Sequence, residues 1–198
     1  MKPVITRRAF VGKAGTATLS ATAVALLVGC ESMARSSSVQ SANASAGDPA
    51  NDVAILNVAL GLEHEAIGAY QLGAESGLLS GGVLDTAVLF QSQHKEHRDA
   101  IAGAIKQLGG TPVESETLAH YAESLNAASI KNATDILKLA ARLEKGAANA
   151  YLGVIPAFDN SDFAQIAGRL AADETMHWTV LATALGQELP RSALTFGA

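Results

Sequence analysis

The sequence has little cysteine, proline or positive charge, and each shortage limits the kind of structure, site or partner that the chain can have. Cys30 is the only cysteine in 198 residues, so the chain after it has neither a disulfide framework nor a thiolate metal site. Only five prolines in a chain that is 48% hydrophobic favour long helices. The first 30 residues hold four of the 14 basic residues and none of the 19 acidic ones, which leaves a net charge of −9 on the remainder. An acidic domain without a basic stripe predicts no nucleic-acid partner.

The first 30 residues have the pattern of an export signal. Basic residues within positions 1–13 precede an apolar run at positions 14–29, which is too short for a comfortable transmembrane span. The stretch Thr6-Arg7-Arg8-Ala9-Phe10-Val11 resembles the twin-arginine export signal. That route moves folded proteins, which suits a domain that acquires its cofactor before export. An ordinary Sec signal is the alternative.

A lipid anchor and a tether are predicted to follow the export signal. Leu27-Val28-Gly29-Cys30 resembles a bacterial lipobox, and a lipidated Cys30 would anchor the chain to a membrane. The alternative is an incidental cysteine in a cleaved peptide. The next segment is rich in Ser, Ala and Asn, so it predicts a flexible linker. The predicted organisation is an export signal at 1–30, a linker at 31–51, a helical domain at 52–187 and a tail at 188–198.

The remaining chain contains an internal repeat. The nine residues Leu62–Tyr70 recur as Leu143–Tyr151, with Leu, Glu, two Ala and Tyr in the same places at an offset of 81. His94-Lys95-Glu96-His97 and Glu174-Thr175-Met176-His177 follow the two copies at an offset of 80. A duplicated helix pair explains both offsets. Each half would then bring one glutamate and one i, i+3 pair of titratable residues to a shared interior.

The hydrophobic periodicity predicts an all-α four-helix bundle. Apolar residues at spacings of three and four, with Gly and Pro stop signals, indicate four long helices. The first helix is predicted to start at 51–53 and end at 77, and the second to cover 83–108. The third is predicted to start at 132–135 and end at 154, and the fourth to cover 162–185. Short turns close each helical pair, whereas the connection at 111–131 is long and contains a predicted short helix at 117–125. Two hairpins joined by one long crossover are therefore expected.

Six titratable side chains are predicted to point into this bundle. They lie on the apolar stripes of the four helices: Glu63, His94, His97, Glu144, Glu174 and His177. Buried carboxylates need neutralisation, and no Lys or Arg lies in the middle of these stripes. A divalent cation is the predicted partner, because Glu and His at i, i+3 share one helix face. Oxygen and imidazole ligands suit Fe, Mn or Zn.

Each of the titratable residues also has an interpretation that involves no function. Lone helical glutamates are usually solvated, which we expect for Glu65, Glu75 and Glu96, and for the neighbouring His64. A core or boundary histidine explains His94 as well as a ligand does, and the whole set would also fit a bundle that has lost its metal. Two tyrosines, Tyr70 and Tyr151, follow the inward glutamates by seven residues. They predict either core packing with a hydroxyl partner, or a hydrogen bond or redox role beside the site.

These residues resemble the ferritin-like superfamily. The phrase Ile55–Glu63 and the ligand spacing are similar to those of exported bacterial ferritin-like domain proteins of the desiccation-related type, and the resemblance covers about residues 52–187. It implies that Glu63 and Glu144 are terminal carboxylates and Glu174 a bridging one. It implies that His97 and His177 are imidazole ligands. Iron or manganese is the implied cofactor, with ferroxidase or peroxide-consuming activity if the centre is redox-active.

One position departs from the superfamily pattern. His94 stands where the second helix should carry a bridging glutamate, while Gln93 and Glu96 lie roughly 100° and 200° away round the helix. This leaves an asymmetric dimetal site, a mononuclear site or a different metal open. The predicted function is an exported iron or manganese protein. The alternative is a non-enzymatic, membrane-tethered structural or stress-protective bundle with a degenerate metal site. A homo-oligomer is left open.

Overall fold

A computed structural model describes residues 48–197 of the chain. The described residues form five α-helices and no strand: α1 Pro49–Glu75, α2 Gly81–Gln107, α3 Leu118–Ser124, α4 Ala133–Val154 and α5 Ser161–Ala184. Helix α1 packs mainly on α2, and α4 mainly on α5, so two hairpins face each other. The predicted all-α bundle with a long crossover is confirmed, and each helix end lies within two residues of its prediction. The predicted export signal, lipobox and most of the linker lie outside the described residues.

The start of α1 differs from the prediction. Its N-cap is Asp48, whose carboxylate accepts from the backbone N–H of Ala50, with Pro49 in the first turn. Asn51 and Asp52, at the predicted start of this helix, lie inside it, and the last three residues of the predicted linker are helical. The buried Asp52 carboxylate instead accepts from the backbone N–H groups of Asp159 and Asn160 at 2.9 and 3.1 Å. It therefore ties the first hairpin to the second.

A layer of polar residues divides the core into two apolar clusters. The Tyr151 cluster consists of Leu56, Ala59, Leu60, Ile101, Ala104, Ile105, Tyr151, Phe163, Leu170 and Ala171. The Tyr70 cluster consists of Tyr70, Leu79, Ala87, Phe90, Ile136, Ala140, Ala141, Trp178, Leu181 and Ala182. Each cluster lies at one end of the four-helix bundle. Among residues 48–197, no helix combines the length and apolar character that a membrane span needs.

The C-terminal tail lies against the second hairpin. Phe196 packs edge to face on Trp178 with ring centroids 5.1 Å apart. The backbone N–H of Gly197 donates to the side-chain oxygen of Asn149 at 2.9 Å. The described residues of the predicted tail therefore lie on the surface of this hairpin.

The crossover helix α3 packs closely against α1, and this contact predicts a stability effect. A Cβ added at Gly68 would lie 2.5 Å from Cδ2 of the buried Tyr121. We expect Gly68→Ala to displace Tyr121 and to lower the free energy of unfolding by about 1–3 kcal/mol, as overpacking does. Urea denaturation of the purified protein measures this change.

Gly61→Ala is the matched control on the same helix. A Cβ at Gly61 meets no atom within 4 Å, so only the higher helix propensity of alanine remains. This variant should gain up to about 1 kcal/mol. A Gly68→Ala protein as stable as the Gly61→Ala protein would contradict the close packing of α3.

Candidate metal centre

The six side chains predicted to point inward meet in the polar layer. Helix α1 supplies Glu63, α2 supplies His94 and His97, α4 supplies Glu144, and α5 supplies Glu174 and His177. All six are buried, and none is more than 8% exposed. The 3.6-residue helical period explains why each i, i+3 pair presents both members to the same interior.

The six residues form two overlapping ligand groups. The first group is Glu63, His94, His97 and Glu174, and the second group is His94, Glu144, Glu174 and His177. Within each group, one ligand atom from every residue lies within 4.8 Å of the others. The Glu174 carboxylate lies between the groups, since Oε1 is 3.2 Å from His97 Nδ1 and Oε2 is 3.4 Å from His177 Nδ1. This geometry suits a carboxylate that binds two ions.

Unpaired buried atoms show where a cation fits. Among the described residues, five buried side-chain atoms lack a hydrogen-bond partner: His97 Nδ1, Glu144 Oε2, Glu174 Oε1, Glu174 Oε2 and His177 Nδ1. An unsatisfied buried polar atom costs about 1–3 kcal/mol, and more if it is charged. All five atoms belong to the two ligand groups, and their nitrogen and oxygen types suit Fe, Mn or Zn. The residues present therefore fit a divalent metal.

His94 makes the two groups unequal. Its Nδ1 is 2.8 Å from Glu63 Oε2, and its Nε2 is 3.2 Å from Glu144 Oε1. Both oxygens of Glu63 are consequently engaged, because Oε1 accepts from the Tyr151 hydroxyl. Glu144 keeps a free Oε2, which lies 3.4 Å from His177 Nδ1. If each Glu174 oxygen is counted with the histidine that it faces, the second group offers three unpaired atoms and the first group offers two.

The two tyrosines bind the glutamates crosswise. The hydroxyl of Tyr70 donates to Glu144, and the hydroxyl of Tyr151 donates to Glu63, so each tyrosine bonds to the glutamate of the other half. Burial and the nearby carboxylate charge raise the pKa of both hydroxyls well above the usual value. Both tyrosines therefore remain protonated donors. Of the two roles that the sequence left open, the structure places each hydroxyl on a candidate ligand.

Two supporting residues were missed from the sequence. The outer nitrogen of His177, Nε2, lies 2.7 Å from Gln93 Oε1, and the outer nitrogen of His97 lies 3.3 Å from Asp173 Oδ2. These oxygens only accept, so both Nε2 atoms carry a proton and both Nδ1 atoms face the centre as potential ligands. The offset of 80 that relates His94 to Glu174 also relates Gln93 to Asp173, and that signal could have identified them.

The remaining acidic residues of the repeats stay outside the centre. Glu75 and Glu96 are exposed, Glu65 is half-buried, and none belongs to either ligand group. The His64 ring lies 3.2 Å from the carbonyl oxygen of Val113 in the crossover. Neither Glu96 nor Glu65 replaces the glutamate that His94 displaces.

Burial and close contacts shift the pKa values of the histidines and glutamates in the cluster. Burial alone would lower the pKa of His94, but its contacts with Glu144 and Glu63 outweigh burial and raise the pKa to about 11. Burial likewise opposes the contacts of His97 with Glu174 and Glu63, which raise its pKa to about 10. Burial raises the pKa of Glu174 despite its histidine neighbours. Without a metal, protons on these groups balance the buried charge.

A pH dependence of stability follows for the chelator-treated protein. A histidine with a raised folded pKa stabilises the fold fully below its unfolded pKa of 6.5, and this contribution is lost as pH rises through the folded value. We expect the free energy of unfolding in chelator to fall from pH 6.5 to pH 9. Urea denaturation at several pH values measures the slope.

Two variants identify the source of that slope. His97→Gln should reduce the slope by the share of one histidine, since His94 and His177 also have raised pKa values. The exposed His120 lies outside the cluster, and His120→Gln should leave the slope unchanged. Stability that rises between pH 6.5 and pH 9 in chelator would contradict the assigned ionisation.

Comparisons with known proteins agree with the architecture. A family model described as ferritin-like domain matches residues 51–187, whereas no curated protein matches the chain. A conserved hypothetical protein from Mycobacterium tuberculosis is 24% identical, with a TM-score of 0.59 over 73% of this chain and 97% of that one. A dodecameric thioferritin, the bacterioferritin-related protein from Bacteroides fragilis, is 23% identical, with a TM-score of 0.58 over 70% and 86%. These identities support the fold alone. The family match contains both ligand groups, and the chain belongs to the ferritin-like domain family.

Proposed function

We propose that this protein is an exported metalloprotein that holds iron or manganese in the middle of its bundle. The observation that carries the proposal is the convergence of five unpaired buried atoms on two ligand groups. A cluster of three carboxylates and three imidazoles, without Lys or Arg among its members, has a donor set that suits these metals.

The second ligand group is proposed to bind the first ion. Glu144, Glu174 and His177 each present an unpaired atom there, and the Nδ1–Oε2 distances from His177 to both glutamates are 3.4 Å. With Glu174 Oε2 assigned to the second group because it faces His177, the first group is left with His97 Nδ1 and Glu174 Oε1 as its unpaired atoms. One ion should therefore bind more tightly than a second.

The surrounding residues are proposed to hold the ligands and exclude water. Gln93 and Asp173 fix the imidazole rings, while the two tyrosine hydroxyls fix Glu144 and Glu63. The burial of all six candidate ligands between two apolar clusters limits their contact with bulk water. A bound iron or manganese ion would supply one-electron redox chemistry at this position.

The proposed reaction is the oxidation of Fe(II) by dioxygen or peroxide. With peroxide, two Fe(II) ions, one hydrogen peroxide and two protons give two Fe(III) ions and two waters. Stopped-flow absorbance after anaerobic Fe(II) loading compares the two oxidants. Oxidation no faster than that of free Fe(II) with either oxidant would contradict this activity without affecting the metal assignment.

Elemental analysis of the full-length chain tests the metal proposal. The protein is purified without chelator or affinity metal, and Fe, Mn and Zn are counted per chain. We expect about one iron or manganese, lost in Glu144→Gln and retained in Glu63→Gln, because of these two glutamates only Glu144 has an unpaired oxygen. No metal after anaerobic addition of Fe(II) or Mn(II) would contradict the proposal.

A non-enzymatic role is the second candidate, and the contacts of His94 favour it. This ring already bonds to Glu63 and Glu144, so it holds the two hairpins together without metal. The bundle would then be a structural or stress-protective module with a degenerate site. Unfolding with and without chelator separates the candidates, since a tightly bound ion adds stability by linkage and a degenerate site does not.

Export and membrane anchoring are proposed from the pattern of residues 1–30 alone. If Cys30 is lipidated, Cys30→Ala should release the protein from the membrane fraction, because lipidation supplies the anchor. Cell fractionation measures the distribution of the wild type and the variant. Unchanged membrane association of Cys30→Ala would contradict lipidation.

We also propose that the chain assembles into a homo-oligomer. The Bacteroides fragilis thioferritin is dodecameric, which supports assembly in this fold. Light scattering of the full-length chain measures the mass, and a monomer at working concentrations would contradict the proposal.

A further inference from the structure

The Tyr70 end of the bundle contains a cavity of about 330 Å³. Its walls come from all four long helices and from the crossover, and none of the lining residues is charged. Of the hydroxyls on its lining residues, Ser76 donates to the Gly73 carbonyl oxygen, Thr86 to the Gly82 carbonyl oxygen, and Tyr70 to Glu144. No side-chain hydroxyl of the wall is therefore left to donate to a ligand. An apolar cavity of about half this volume takes up benzene.

The internal duplication explains why this end is open. At the Tyr151 end, Phe163 is buried in the cluster and Ile166 packs against it. The residues 80 positions earlier are Val83 and Thr86, and both line the cavity. Two smaller side chains therefore stand where the other end of the bundle has two larger ones. The cavity arises from specific residues, because the equivalent end of the same fold is filled.

The cavity opens at an apolar rim and reaches the metal centre. Leu78, Val83 and Val180 line it and are 38%, 39% and 43% exposed, so the entrance is apolar. Tyr70 and Phe90 line it as well, and these two rings contact the second ligand group. The Tyr70 hydroxyl donates to Glu144, and the Phe90 ring stacks on the His177 ring at 4.1 Å between centroids.

We propose that this cavity binds a small uncharged molecule with an aliphatic chain. Leucine, isoleucine, valine and alanine form most of the wall, and burying a charged group against them would cost several kcal/mol. The volume suits a small molecule and is too small for a helix of a partner protein. Since the cavity alone carries the proposal, it does not depend on a metal in the centre.

Titration calorimetry of the full-length chain with 1-octanol tests this proposal. The double variant Val83→Phe/Thr86→Ile gives the cavity side chains like those at the filled end. Val88→Phe is the matched control, because Val88 is 52% exposed on the same helix and does not line the cavity. We expect saturable binding of one octanol by the wild type and by Val88→Phe. The double variant should bind at least about tenfold more weakly.

Three further observations keep the test decisive. The metal content of the double variant should equal that of the wild type, which separates this proposal from the metal assignment. If the double variant does not fold, Thr86→Ile alone should weaken octanol binding. Absent binding by the wild type, or equal binding by the filled variant, would overturn the proposal. A change of oligomeric state in the double variant, with no octanol binding by the wild type, would assign the surface to a second copy and also overturn it.

Discussion

Glu174→Gln is expected to remove metal from both ligand groups. Glu174 belongs to both, and each of its oxygens is unpaired and faces a different histidine. An amide carries no negative charge, and its nitrogen is a donor that cannot bind a cation. Metal content measured by elemental analysis should fall from about one ion per chain to none. Glu144→Gln should lose the same ion, but only Glu174→Gln should prevent binding in both groups, because Glu63 and Glu144 each belong to only one group.

The control for this variant is Glu96→Gln on α2. Glu96 is exposed and lies outside both ligand groups, so this variant should keep its full metal content. Circular dichroism shows whether the Glu174→Gln bundle is folded. A folded Glu174→Gln protein that retains its metal would contradict a shared role for this carboxylate.

His94→Glu is expected to raise the metal content to two ions per chain. The imidazole of His94 now engages Glu63 Oε2 and Glu144 Oε1. A carboxylate at this position would add a negative charge and two oxygens between the groups. It would also release Glu63 Oε2, so that the first group gains the free oxygens it lacks.

His94→Gln separates the effect of an added negative charge from the effect of removing the imidazole ring. It takes the imidazole away without bringing a negative charge, so its metal content should remain near one ion. Anaerobic titration with Fe(II) or Mn(II), followed by elemental analysis, measures all three proteins. An unchanged count in His94→Glu would argue that position 94 does not limit the second ion.

The candidate metal centre and the apolar cavity share two aromatic residues. Tyr70 and Phe90 line the cavity, and they contact Glu144 and His177. A molecule in the cavity would therefore lie beside the second ligand group, which has the larger number of unpaired atoms. If both proposals hold, octanol should change the affinity of the first ion, and the ion should change the affinity for octanol by the same factor.

The sequence by itself determined the helices and the inward residues. Period-3.6 spacing assigns each residue to a face of its helix, and this was sufficient to identify Glu63 and Glu144 as inward before any contact was known. The offsets of 81 and 80 then implied that the two halves are equivalent. Helix ends followed from stop signals such as Gly109-Gly110, because these act through the local backbone.

Only the tertiary structure decided which atoms meet across the bundle. Helical spacing gives the direction of a side chain and not its neighbour on another helix. The crosswise bonds of Tyr70 and Tyr151 and the contact of Gln93 with His177 join residues more than 70 positions apart. The engagement of Glu63 by His94 joins residues 31 positions apart. The cavity likewise depends on how Val83 and Thr86 pack against other helices. These features are set by the docking of the two hairpins, which buries the polar layer and leaves five of its atoms without a hydrogen-bond partner.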